Sequence, residues 1–115
     1  MADLSLRHCV PCHHGTPRLD EASAESLLRD LPGWTIVDRH HLSKTWTFPD
    51  FRRALDFVNR VGAVAEAAGH HPDIELGWGR VQLAIWTHAI DGLSESDFIL
   101  AARAERCAEA AAPPP

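Results

Sequence analysis

Two separated pieces of this chain carry the residues best suited to chemistry: Gly69-His70-His71-Pro72-Asp73 and, further on, Trp86-Thr87-His88. Imidazole titrates close to neutrality, so a histidine can give or take a proton under ordinary conditions. Taken alone, a histidine pair at a helix end also has a structural use. A protonated imidazole is favoured at the negative end of the helix dipole and can cap the last carbonyls. His88 adds a third ring. Along the preceding strand Val81, Leu83 and Ile85 share one parity, and Gln82, Ala84, Trp86 and His88 share the other. A hairpin turning at Gly77–Gly79 brings His71 and His88 to its open end, with Trp86 as a wall or as a packing residue for a neighbouring strand or second copy. Three imidazoles are also zinc ligands. No further ligand has a clear place, however, and adjacent histidines do not readily share one ion. Proton transfer suits them better.

The elements that must position these residues read as helix, hairpin, helix, hairpin, helix. Asp20 is a candidate N-cap for a helix over Glu21–Leu31 that stops at Pro32–Gly33. Trp34–Val37 and Leu42–Phe48 are strand-like, with Asp38–His41 as the turn and Lys44 interrupting the apolar parity of the second strand. Pro49 and Asp50 open the strongest helix. Phe51, Ala54, Leu55, Val58, Val61, Gly62, Ala65 and Ala68 form its expected apolar stripe, and Gly69 is its stop. Ile74–Leu76 and Arg80–Thr87 form the second hairpin. After the Asp91–Gly92 turn, Ser94 and Asp97 make a weak capping box for a last helix over Glu95–Ala108. This order predicts a single α+β domain in which the central and last helices cover one face of an antiparallel sheet. Residues 1–18 read as an irregular arm, 19–109 as the domain, and 110–115 as an Ala/Pro tail that frays.

Composition limits the function. The chain has 115 residues and a net charge of −5, with Lys44 as its only lysine and its arginines scattered. That is not the basic footprint a nucleic-acid binder needs, so no nucleic-acid partner is expected. No apolar run is long enough to span a bilayer, so no membrane partner is expected either. Met1–Val10 lacks the pattern of a signal peptide, which makes a cytoplasmic location the default expectation. The cysteines are Cys9, Cys12 and Cys107, an odd count that argues against a disulfide framework. Cys9-x-x-Cys12-His13-His14 has the spacing of a zinc half-site. It has no matching second pair, and a flexible arm packed on the domain is the simpler reading.

With these residues in hand, the chain resembles the pterin-4a-carbinolamine dehydratases. The likeness rests on His70-His71-Pro72-Asp73, Arg80-Val81, Trp86-Thr87-His88 and Gly92-Leu93-Ser94-Glu95-Ser96-Asp97. Phe48-Pro49-Asp50-Phe51, Leu31-Pro32-Gly33-Trp34 and Cys9-Val10-Pro11-Cys12 support it, so that it covers roughly residues 8–106. The resemblance implies a four-stranded antiparallel sheet with three helices, in the order α-β-β-α-β-β-α, and a homodimer or homotetramer. It implies dehydration of 4a-hydroxytetrahydropterin to quinonoid dihydropterin with no metal or organic cofactor, in recycling linked to an aromatic amino-acid hydroxylase. Carried over, His70, His71 and His88 are catalytic, and Pro72, Thr87, Ala89 and Ile90 line the substrate pocket. Asp97 positions substrate or a histidine, or simply caps its helix. Glu66, one turn before His70, orients that ring or contacts the pterin, or is a solvated helix charge. Gly77-Trp78-Gly79 departs from the family pattern, which has an Asn where this chain has Gly79; glycine there suits a turn with positive φ. Some members also serve as dimerisation partners of transcription factors, so a dimerisation or transcriptional-cofactor binding module with the same fold is the alternative role.

Overall fold

The computed structural model describes residues 4–6 and 17–111. Asp20 begins the first helix, α1 (Glu21–Leu28), by accepting a hydrogen bond from the Ser23 amide at 2.7 Å. The first hairpin follows as β1 (Thr35–Val37) and β2 (His41–Thr47). Its tight turn puts Asp38 and Arg39 at positive φ. Asp50 caps α2 (Phe51–Ala68) through the Arg53 amide at 2.8 Å, and Gly69 ends it at φ +66°. The second hairpin is β3 (Asp73–Leu76) with β4 (Arg80–Ile85), and α3 (Glu95–Ala111) is the last described element.

The four strands form one antiparallel sheet in the order β1-β2-β4-β3. Helices α2 and α3 pack together over one face, where Leu42, Val81, Leu83 and Ile85 meet Phe57, Val61, Phe98 and Leu100 in the core. These agree with the element order and parity expected from the sequence. Lys44, which breaks the apolar parity of β2, points to the same side. Its ammonium pairs with Glu105 on α3, and the Trp34 indole N–H donates to that same carboxylate oxygen at 2.9 Å. A half-buried charge is thus paired and hydrogen-bonded rather than left alone.

Several expectations need correction. On α2 the core face is Ala54, Phe57, Val61 and Ala65, while Phe51 and Leu55 stay 45% and 38% exposed. Phe57 lies outside the expected stripe, yet it packs against Trp46 and Phe48 at ring distances of 4.8 and 5.3 Å. The apolar surface of α2 is wide, and contact with the sheet, not periodicity, selects the buried half. Helix α1 ends at Leu28 rather than Leu31, and β4 ends at Ile85 rather than Thr87. Helix α3 continues past Ala108, so Ala110 and Ala111 are helical and Ala111 is buried. Leu4–Leu6, expected as part of an irregular arm, form a short 3-10 turn against α3, where Arg103 Nε donates to the Ser5 carbonyl at 3.2 Å. The Cys9, Cys12, His13 and His14 group lies outside the described residues.

Gly79 is also not at positive φ. Its constraint is space. The backbone oxygen of Phe48 lies 2.7 Å from where a Cβ would sit, and the Phe48 amide donates to the Gly79 carbonyl at 2.7 Å. At Gly62, in the middle of α2, nothing lies within 4 Å of that position. Gly79→Ala is therefore expected to destabilise the chain by about 1–3 kcal/mol. Gly62→Ala is expected to stabilise it by up to about 1 kcal/mol, because alanine favours a helix. Urea unfolding of both variants checks the opposite signs.

Candidate active site

Gly69 stops α2 in the left-handed conformation, so the chain leaves the helix abruptly and delivers His70 and His71 beside the start of β3. The β3–β4 register pairs Asp73 with Ala84. Continued outward, it sets His71 level with Trp86 and His70 level with Thr87. Beyond β4, Thr87 and Gly92 form an isolated bridge, with the Thr87 amide donating to the Gly92 carbonyl at 2.8 Å. The bridge pinches off His88–Ile90 as a single 3-10 turn. His88 thus reaches the site on a turn, not as the last residue of a strand.

The three imidazoles surround one open pocket of about 180 Å³, completed by Gly69, Trp86, Thr87 and Ala89. Each ring is held differently. His70 has the tightest hold: its Nε2 lies 2.5 Å from Oδ1 of Asp97, a fully buried carboxylate at the start of α3. The other oxygen, Oδ2, accepts from the Thr87 hydroxyl and from the Ser94 amide, each at 2.8 Å. Because the Thr87 proton goes to Asp97, the Ser94 hydroxyl donates to Thr87 Oγ1, at 2.8 Å. A carboxylate only accepts, so the contact has Nε2 of His70 as donor and turns Nδ1, the other ring nitrogen, away from Asp97. His71 is exposed, and its Nε2 lies 3.3 Å from Glu66. His88 is also exposed and stacks on Trp86 with ring centroids 4.4 Å apart.

The remaining expected site residues fall at different depths. Thr87 and Ala89 line the pocket, whereas Pro72, Ile90, Asp97 and Glu66 are not part of its wall. Asp97 both caps α3, by accepting from the Ser94 amide, and orients His70. Ile90 is buried, with its carbonyl accepting from Arg18 Nε at 2.6 Å. Glu66 reaches His71 rather than His70, because the chain turns away from the helix axis at Gly69. Sequence reasoning missed His40 and His41, whose rings lie 5.2 and 5.9 Å from Trp86. The signal was available, since an antiparallel pairing of β2 with β4 sets His41 opposite Trp86. Among the described residues, no group of three His, Cys, Asp or Glu is arranged to hold a metal ion. None of their helices is long and apolar enough to cross a membrane. Burial pushes the Cys107 thiol up, away from a reactive thiolate.

The fold and the pocket define a class, a small α+β protein with a histidine-lined hollow at one end of an antiparallel sheet. The profile of the family described as pterin 4 alpha carbinolamine dehydratase matches residues 17–107, and the chain belongs to that family. A Rubrobacter xylanophilus protein provisionally named pterin-4-alpha-carbinolamine dehydratase is 54% identical, over 92% of this chain and 99% of its own length. The Arabidopsis thaliana protein named pterin-4-alpha-carbinolamine dehydratase 2, mitochondrial, is 47% identical over 90% of this chain and 58% of its own length. A crystal structure from Brucella Melitensis, described as a transcriptional coactivator/pterin dehydratase, matches with a TM-score of 0.77 and 32% identity, over 80% of this chain and 99% of that one. A pterin dehydratase-like protein described as a RuBisCO assembly factor in the alpha-carboxysome shares the fold, with a TM-score of 0.59 and 24% identity over 66% of this chain and 89% of that one.

Thr87 is the link between the buried carboxylate and the end of β4. Thr87→Val removes one donor to Asp97 Oδ2 at a site closed to water, and is expected to destabilise the chain by about 1–3 kcal/mol. Thr87→Ser keeps the hydroxyl and should retain most of that stability. Denaturant unfolding of the two variants side by side measures the difference.

Proposed function

We propose that this chain dehydrates a 4a-hydroxytetrahydropterin to the quinonoid dihydropterin by histidine acid–base catalysis. The observation that carries the reading is the convergence of His70, His71 and His88 on one pocket, with His70 oriented by a buried carboxylate. The hydroxyl on the ring-fusion carbon leaves poorly as hydroxide. An imidazolium, His88 or His71, donates a proton to it, and the carbon–oxygen bond breaks to release water. The neighbouring ring nitrogen supplies the electron pair for the new carbon–nitrogen double bond. The proton on that nitrogen passes to Nδ1 of His70. Asp97 keeps the tautomer that leaves this nitrogen free, as a carboxylate does for a catalytic histidine elsewhere. In this reading Thr87 and Ala89 bound the substrate in the pocket, Pro72 and Ile90 support it from outside the wall, and Glu66 orients His71. Pterin recycling beside an aromatic amino-acid hydroxylase, in a cytoplasmic homodimer or homotetramer, completes the proposal.

A second role as a protein-binding module has one observation in its favour. Phe51 and Leu55 form an exposed apolar strip on α2, remote from the pocket in sequence. The Brucella relative's description as a coactivator is compatible with such a role. Turnover separates the two readings, since a module without chemistry leaves the carbinolamine untouched.

The test is turnover of a pterin carbinolamine across pH by His70→Ala, His71→Ala and His88→Ala. His70→Ala and at least one of the other two should lose about 10²–10⁴-fold in kcat, with an altered pH profile. Three variants with wild-type rates and an unchanged profile would reject the scheme.

A further inference from the structure

A second pair of histidines packs on the tryptophan that carries His88. The His40 ring lies 5.2 Å from Trp86 and the His41 ring 5.9 Å, while His88 stacks on the same indole at 4.4 Å. The Nδ1 atoms of His40 and His41 are 3.1 Å apart. That contact tolerates a change of protonation. A neutral His40 accepts there from His41, and a protonated His40 donates.

The other nitrogen of His40, Nε2, lies 2.6 Å from Oδ1 of Asp91. Asp91 closes the 3-10 turn that begins with His88. Its amide donates to the His88 carbonyl at 3.2 Å, and its φ is +47°. The hydrogen bond from His40, aided by its charge, holds the Asp91 carboxyl below its usual range. His40 therefore grips the His88 turn at two places, at its closing residue and through the indole on which His88 lies. It does not line the pocket.

We propose that His40 is a positioning residue for His88, acting through Asp91 and Trp86 to fix the angle at which the His88 ring enters the pocket. The proposal rests on the reading of His88 as a working group of that pocket. A separate tether, Arg18 Nε to the Ile90 carbonyl, keeps the turn in place when His40 is changed, so the variants below are expected to fold.

The experiment compares His40→Phe, Asp91→Asn and the double variant with the wild-type full chain. Phenylalanine keeps an aromatic ring beside Trp86 while losing the charge pair. Asparagine is well tolerated in the left-handed backbone of Asp91. Three quantities are read: the proton NMR shifts of the His88 ring, which stacking on the indole displaces, the kcat and KM for a pterin carbinolamine, and the melting temperature. The His88 resonances are assigned by their loss in His88→Gln. Both single variants should move the His88 resonances toward those of an unstacked ring. They should lower kcat by about two- to five-fold, the range an exposed ion pair can supply, with KM unchanged. The double variant should be no worse than the worse single one. His88 resonances that stay in place in both single variants overturn the proposal. A lower melting temperature with unmoved resonances and kcat overturns it too, since His40 would then only stabilise the fold. Failure of the reading of His88 as a working group shows separately, as full turnover by His88→Ala, while the ring shifts continue to report whether His40 controls His88.

Discussion

A fully buried carboxylate, Asp97, is the constraint on which the site depends. Burying such a charge is costly unless its lone pairs are filled. Here they are filled by donors from three parts of the chain: His70 from the end of α2, Thr87 from beyond β4, and the Ser94 amide at the start of α3. The N-terminal end of a helix also favours negative charge. Each donor that satisfies Asp97 is therefore fixed relative to the other two. One local requirement ties α2, α3 and the β3–β4 hairpin together at the point where the pocket opens.

The same requirement divides the histidines by how firmly each is held. His70 is part of the buried network, so its ring is oriented before any ligand arrives. His71 and His88 are exposed and held by weaker contacts, a long approach to Glu66 and a stack on Trp86. A rigid group beside two adjustable ones suits a reaction in which one proton must be collected at a fixed atom and another delivered to a departing oxygen. In the proposed reaction, a base held in place beforehand would lower the reorganisation needed at the moment of proton transfer.

What the sequence made legible was mostly local. Asp50 and Gly69 mark the ends of α2 because a cap and a left-handed stop depend only on neighbouring residues. The alternation of Val81, Leu83 and Ile85 reads directly as the buried face of β4. The convergence of three histidines followed from the hairpin geometry together with the family resemblance. Other features depend on contacts between distant segments. Phe57 falls outside the stripe that spacing suggests because α2 carries apolar residues on more than one side, and only Trp46 and Phe48 show which side is buried. The spacing of Ser94 and Asp97 announced a helix cap, but nothing in it points to His70, 27 residues away. Glycine at position 79 answers to the Phe48 carbonyl, which no inspection of the turn itself reveals.

The most direct test of the account is nitrogen NMR of the full chain labelled at histidine, reading which ring nitrogen of His70 carries the proton, before and after a reduced pterin is added. The expected result is a proton on Nε2, toward Asp97, and a bare Nδ1 whose signal moves when the pterin binds. A proton found on Nδ1 in the neutral ring, or an Nδ1 signal indifferent to saturating pterin, would contradict it.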